Sequence, residues 1–280
     1  MKKIVLALAA FCVFQFTDIY AQKPLMPQAS STQTVTQDFA LGQIKLNYSR
    51  PNVKGRKIFG GMLPYGEVWR TGANSATVIT FSDDVKLEGQ NVPAGAYALF
   101  TIPGEKEWTV ILNKNTQQWG SYSYKPEENF LQVKVKPVKL SPKAETFTIE
   151  LADVLPSSCK LLIKWDDVSV PVAITTDIDH KVMANIAEAM KGDKKPYMQA
   201  AQYYYQNNKD LSKALEWIAE AEKADQKAPW IKYWKARIQL KTGDKKGAAA
   251  TASAGIKAAE AMNNAEYIRL NKEVLAEAGK

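Results

Sequence analysis

VSVPVAITTDIDHKVMANIAEAM, residues 168–190, changes its period halfway. Up to Ile174 the run is β-branched and short-paced, as in a strand. From Val182 the apolar residues fall four apart, at Val182, Ile186 and Met190, which is one face of a helix. One chain therefore holds two kinds of structure, divided near residue 175. The expected fold is multidomain: an antiparallel β-sandwich over residues 22–174, followed by a helical array over 178–280.

Upstream of the switch, Thr, Val, Ile, Tyr and Trp recur in runs broken by Gly, Pro, Asn and Asp. Ile44, Leu46 and Tyr48 alternate with polar neighbours, as on a half-buried strand. Further strands are expected at 77–81, 85–87, 97–102, 108–112, 131–135, 147–151, 161–165 and 168–174. Many short strands with turns between them read as a sandwich or barrel. Glu88-Gly89-Gln90-Asn91 reads as a hairpin connection. Pro93-Ala94-Gly95 ahead of Tyr97 is arranged like a tyrosine corner.

Downstream, six helices are expected near 180–191, 196–207, 210–225, 229–242, 245–262 and 265–278. Pro196 and Pro229 suit first turns, and Gly243 suits a helix stop. Asp210 and Asp244 lie 34 residues apart, and Ala214/Ala248 and Ala221/Gly255 keep that spacing. This helix–turn–helix period resembles two degenerate tetratricopeptide repeats. The repeat's usual first-helix glycine is absent, its large aromatic is shifted or missing, and Ala252 stands in place of the second repeat's second-helix aromatic. The alanine-rich run 248–261 reads as a close-packed helix face. The resemblance implies a groove for a protein partner.

At the other end, Lys2 and Lys3 precede an apolar run, Ile4–Phe16, and Ala21 precedes Gln22. This pattern predicts a secretory signal peptide over residues 1–21, hence export to the periplasm or beyond. The bulky Phe11 argues against a lipid anchor at Cys12. The mature chain then keeps one cysteine, Cys159, and no internal disulfide is possible. No apolar run of spanning length follows, so no membrane span is expected in the mature chain.

Composition narrows the chemistry. The chain has 280 residues and net charge +8, spread along its length. A nucleic-acid partner would call for a clustered basic stripe, and none is expected. With one histidine, His180, and two cysteines, no metal site, no cofactor and no histidine-dependent triad is expected. His180 reads as a solvent-facing or capping residue and Cys159 as a core residue.

The most informative segment is YSRPNVKGRKIFGGMLPYGEVWRTGAN, residues 48–74. It holds Arg50, Arg56 and Arg70, three of only five arginines in a lysine-rich chain. Arginine's planar fork grips a carboxylate or phosphate with two parallel hydrogen bonds, which lysine cannot do. The segment is too glycine-rich for regular structure and too aromatic for a linker. It reads as an ordered loop held by Tyr48, Phe59, Tyr65 and Trp69. The arginines either bind a ligand or pair with Glu67, Asp83, Asp84 and loop carbonyls.

The runs YSRPNVKGRKIFGG, LPYGEVWRTGAN, VPAGAYALFTIP, EWTVILNKN and QWGSYSY resemble the bacterial domain of unknown function 2911 family over about residues 24–174. That resemblance implies an exported bacterial protein and carries no catalytic residue. The functional expectation is a non-enzymatic binding or scaffold protein of the cell envelope. Arg50, Arg56, Trp69, Arg70, Asn74 and Trp119 are its candidate site for an anionic or glycan ligand. Trp108 and Trp165 are expected in the core. The alternative is a carbohydrate-active hydrolase, which needs only two carboxylates; Glu67 is the first candidate.

Overall fold

The computed structural model describes residues 26–280, so the expected signal, residues 1–21 with Cys12, lies outside the described residues. The chain divides into two compact units between Thr176 and Asp177. This division falls next to the period change near residue 175.

The first unit is built from β1 (Ser31–Phe39), β2 (Gly42–Arg50), β3 (Ala73–Phe81), β4 (Val85–Leu87), β5 (Gln90–Val92), β6 (Gly95–Ile102), β7 (Trp108–Asn113), β8 (Asn129–Val135), β9 (Val138–Leu155) and β10 (Ser158–Thr175). Six strands form one sheet in the order β1-β2-β3-β6-β7-β8, and four form a second, β5-β4-β10-β9. Every pairing is antiparallel. Ile44, Leu46 and Tyr48 from one sheet share a core with Phe147, Ile149, Leu161 and Ile163 from the other. This is the sandwich geometry in which alternate residues of both sheets face inward.

Three strand readings change. β1 was not anticipated: STQTVTQDF is an edge strand with only Phe39 fully buried, so it carries little apolar signal. The runs at 161–165 and 168–174 form one strand, β10. Leu161, Ile163 and Trp165 are buried on odd positions, and Val170, Val172 and Ile174 on even ones. A register shift around Asp166, whose φ is 51°, flips the parity. The hairpin connection shrinks to Glu88-Gly89, both at positive φ, because Gln90 and Asn91 belong to β5. The tyrosine-corner arrangement is present: the Tyr97 hydroxyl donates to the Pro93 carbonyl at 3.0 Å.

The second unit contains α1 (Asp179–Ala189), α2 (Tyr197–Gln206), α3 (Leu211–Ala224), α4 (Pro229–Lys241), α5 (Lys245–Ala261) and α6 (Ala265–Ala278). From α2 onward each helix packs on the next, and α4 also touches α2 and α6. The 34-residue spacing has a structural meaning. Asp210 caps α3 by accepting from Ser212 and Lys213, and Asp244 caps α5 by accepting from Gly247. Ala214 and Ala248 are both fully buried one turn later. Pro196 is the residue before α2 rather than in its first turn, whereas Pro229 opens α4 as expected. His180 is exposed at the start of α1. Among the described residues no helix is long and apolar enough to cross a membrane.

Candidate anion-binding cleft

The loop between β2 and β3 is ordered by aromatic packing, though not by all the residues expected. Phe59 and Trp69 are buried, Tyr48 belongs to β2, and Tyr65 is exposed. Trp69 stacks on Trp165 at 5.7 Å between ring centroids, inclined by 18°. Phe147 meets both rings edge-on, at 5.1 Å and 5.7 Å. Such packed pairs add to the burial of their large apolar surfaces.

Arg70 stands between two anchored neighbours. Trp69 exchanges backbone hydrogen bonds with Thr101 in both directions, and its indole N–H donates to the Gly72 carbonyl at 3.0 Å. Thr71 adopts φ 53°, a costly conformation for a β-branched residue. Its hydroxyl lies 3.0 Å from that of Thr101, and its carbonyl accepts from the Thr77 hydroxyl at 2.6 Å. Gly72 sits at φ 154°, and a Cβ there would meet the Ser49 carbonyl at 3.0 Å. The backbone carrying Arg70 is thus held by contacts on both sides.

The three sequence-proximal arginines meet different fates. Arg50 donates to the Phe147 carbonyl at 3.0 Å and the Thr148 hydroxyl at 2.8 Å, tying β2 to β9. It lines neither cavity of the cleft, and these bonds give it a structural role. Arg56 is exposed and donates to the Val53 and Asn52 carbonyls of its own loop. Among the described residues Arg70 has no ion pair, and its half-buried side chain keeps a buried Nε without an acceptor. Burial pushes its pKa below the usual arginine value, partly offset by nearby Tyr122.

Arg56, Trp69, Arg70 and Asn74 line one cavity of about 450 Å³, together with Lys54, Asn52 and Trp165. Three cations line it and, among the described residues, no Asp or Glu does. Trp165 was expected in the core, and it is 1% exposed. Yet its indole N–H is buried without an acceptor. Among the described residues, Arg70 Nε and Trp165 Nε1 are the two buried side-chain donors left unpartnered, and both residues line this cavity. Buried donors are otherwise almost always satisfied. Trp165 was missed as a site residue because an apolar strand pattern says nothing about the indole N–H.

Asn74 has a structural duty as well. At φ 59° it donates to the Ser30 carbonyl and the Ser49 hydroxyl, and its carbonyl accepts from Gly120. Trp119 is 65% exposed and lines a neighbouring cavity of about 390 Å³. The two cavities share Ala29, Ser30 and Asn74. Five of the six candidate residues therefore line one or the other of two adjoining cavities, referred to together as the cleft.

Glu67, Asp83 and Asp84 are the alternative partners that the sequence offers the arginines. Glu67 is exposed and lines neither cavity. Asp84 accepts from the Ala94 amide at 2.9 Å, and Asp83 from the Ser82 hydroxyl at 3.2 Å, which are turn duties. Cys159 is buried in the shared core, where burial pushes its thiol up to about 11. Among the described residues no group of three His, Cys, Asp or Glu is placed to hold a metal ion.

Known proteins bear on the first unit alone. The sequence model of one family, described as a protein of unknown function (DUF2911), matches residues 30–174. The match ends at the last strand, so the helices lie outside it. No curated protein and no solved structure matches the chain.

Proposed function

The chain belongs to the DUF2911 family of proteins of unknown function, and from that premise we propose that its β-sandwich is a non-enzymatic binding module for an anionic ligand. The observation that carries this reading is the pair of buried, unpartnered donors, Arg70 Nε and Trp165 Nε1, on residues lining a cavity that holds three cations and no carboxylate. A buried donor without an acceptor costs about 1–3 kcal/mol. With a small side-chain shift on binding, a ligand oxygen would supply what the protein does not. Arg70 grips the anion, Lys54 and Arg56 add charge at the mouth, and Trp69 fixes Arg70 from below.

Support for action in the cell envelope comes from the charged and apolar stretches of residues 1–21. Intact mass of the protein from its native host, beginning at Gln22, tests that part. Support for the helical unit as a short tetratricopeptide-like partner scaffold comes from the repeated Asp cap and buried Ala at 34-residue spacing.

The binding reading is tested by thermal unfolding with inorganic phosphate, sulfate and uronic acids. An anion at ~100 times its dissociation constant adds about 2.7 kcal/mol of stability. The shift is expected in wild type and absent in Arg70→Gln. No shift with any anion would sink the reading.

A further inference from the structure

The two adjoining cavities, the lobes of the cleft, differ in chemistry. The lobe at Arg70 is cationic. The lobe at Trp119 has no charged residue; Thr32, Asn47, Ser49 and Ser75 line it with hydroxyls and an amide. Trp119 is exposed but not loose. Residues Ser75 and Trp119 form an antiparallel bridge, and Ala76 and Gly120 donate to the carbonyls of Gln118 and Asn74, both at 2.9 Å. An indole face left 65% exposed on a pinned loop, beside hydroxyls and amides, is a platform without an internal occupant. Tyr122 of the same loop is 88% exposed.

We infer that the ligand of the cleft is an acidic oligosaccharide, with its carboxylate or sulfate held at Arg70 and Trp165 and an adjoining sugar ring stacked on Trp119. This rests on the anion reading above and adds a second contact to it. A sugar ring has an apolar face for an indole and a rim of hydroxyls for amide and hydroxyl partners, and the neutral lobe offers both. A nucleotide would also present a phosphate and a flat ring. Its base, however, lacks the hydroxyl rim that the Thr32, Asn47 and Ser75 wall matches.

Calorimetric titration of residues 22–280 tests the inference with five probes: galacturonic acid, its tetrasaccharide, a sulfated disaccharide, neutral maltotetraose and adenosine monophosphate. The tetrasaccharide is expected to bind at least tenfold more tightly than the monomer. Trp119→Ala should remove roughly that tenfold, the scale of a buried aromatic contact, and leave the monomer unchanged. Trp119→Phe should keep most of it. Arg70→Gln should abolish binding of every acidic probe. The uronate and sulfate arms show which acid group is preferred. A monomer that binds through Arg70 with no gain from chain length, no loss in Trp119→Ala, or tighter binding of the nucleotide overturns the saccharide inference and leaves the anion site standing. Maltotetraose binding as tightly, indifferent to Arg70→Gln, overturns the anion reading. Failure of every probe overturns both.

Discussion

The helical unit and the cleft of the sandwich handle positive charge in opposite ways, although elsewhere the sandwich pairs lysines such as Lys134 and Lys143 with acids. In the helical unit, cations meet acids. Lys232 and Lys235 both reach Glu222, at 2.8 Å and 2.6 Å, Lys209 reaches Asp179, and Arg237 reaches Glu277. Around the sandwich cleft, Lys54, Arg56 and Arg70 gather with no acid in the lining. Where charge is closed internally, it ties neighbouring parts of the helical array together. Where it is left open, beside Trp69 and Trp165, no acid among the described residues closes it. The difference teaches that an arginine's role is read from its acceptors, not from its spacing.

The units also fill their cores differently. The sandwich uses Trp108, Trp165, Phe100 and Phe147, while the helices close on Ala201, Ala214, Ala248 and Ala252 with aromatic rings at the margin. Trp108→Ala should therefore have the largest effect, a loss of about 3–5 kcal/mol in urea unfolding. A loss below ~1 kcal/mol would mean that the aromatic floor is not tightly packed. The helical counterpart is overpacking. Gly255→Ala places a Cβ 2.2 Å from Asn271 Oδ1, and about 1–3 kcal/mol should be lost. An unchanged midpoint would show that the helix pair can separate.

Two arginine substitutions sharpen the contrast directly. Arg50→Ala removes two donors from β9 acceptors and should cost about 1–2 kcal/mol. Arg70→Ala removes a half-buried cation without a partner, so stability in the absence of ligand should move by less than ~0.5 kcal/mol or rise. If Arg70→Ala is the more damaging of the two, the open-charge description of the cleft is wrong.

The smallest effect is one of pH. At Glu222 burial raises the pKa, but Lys232 and Lys235 together outweigh it and hold the carboxylate below its ordinary value of 4.5. The folded value is depressed, so this stability is present above pH 4.5 and lost as pH falls through the folded value. Glu222→Gln should flatten that acid limb in urea midpoints measured across the range. Cys159 works on the alkaline side. Its folded value of about 11 exceeds the ordinary 9.0, so its contribution is complete below pH 9.0 and disappears towards 11. A thiol reagent at neutral pH should modify Cys159 only after urea unfolding; rapid labelling of the native chain would contradict its burial.

Much of this molecule is written in local periodicity. The alternation at Ile44, Leu46 and Tyr48 and the spacing of Val182, Ile186 and Met190 are facts of side-chain direction, which neighbouring residues dictate. The six helices, the boundary after Ile174 and the clustering of arginines in an ordered glycine-rich loop follow at that level. β1 escaped because an edge strand needs few apolar residues, and β10 was split because a bulge reverses parity without breaking the strand. The cleft depended on long-range placement. Arg50 was captured by carbonyl and hydroxyl acceptors 97 and 98 residues away, while Arg70, twenty residues on in sequence, was left without one. Trp165 joined the site from a different sheet, looking in sequence like any core tryptophan. Local sequence determines which way a side chain points along its strand or helix. Only the packing of distant segments determines whether its polar atom finds an acceptor, because hydrogen bonds require atoms within about 3 Å that the chain brings together last.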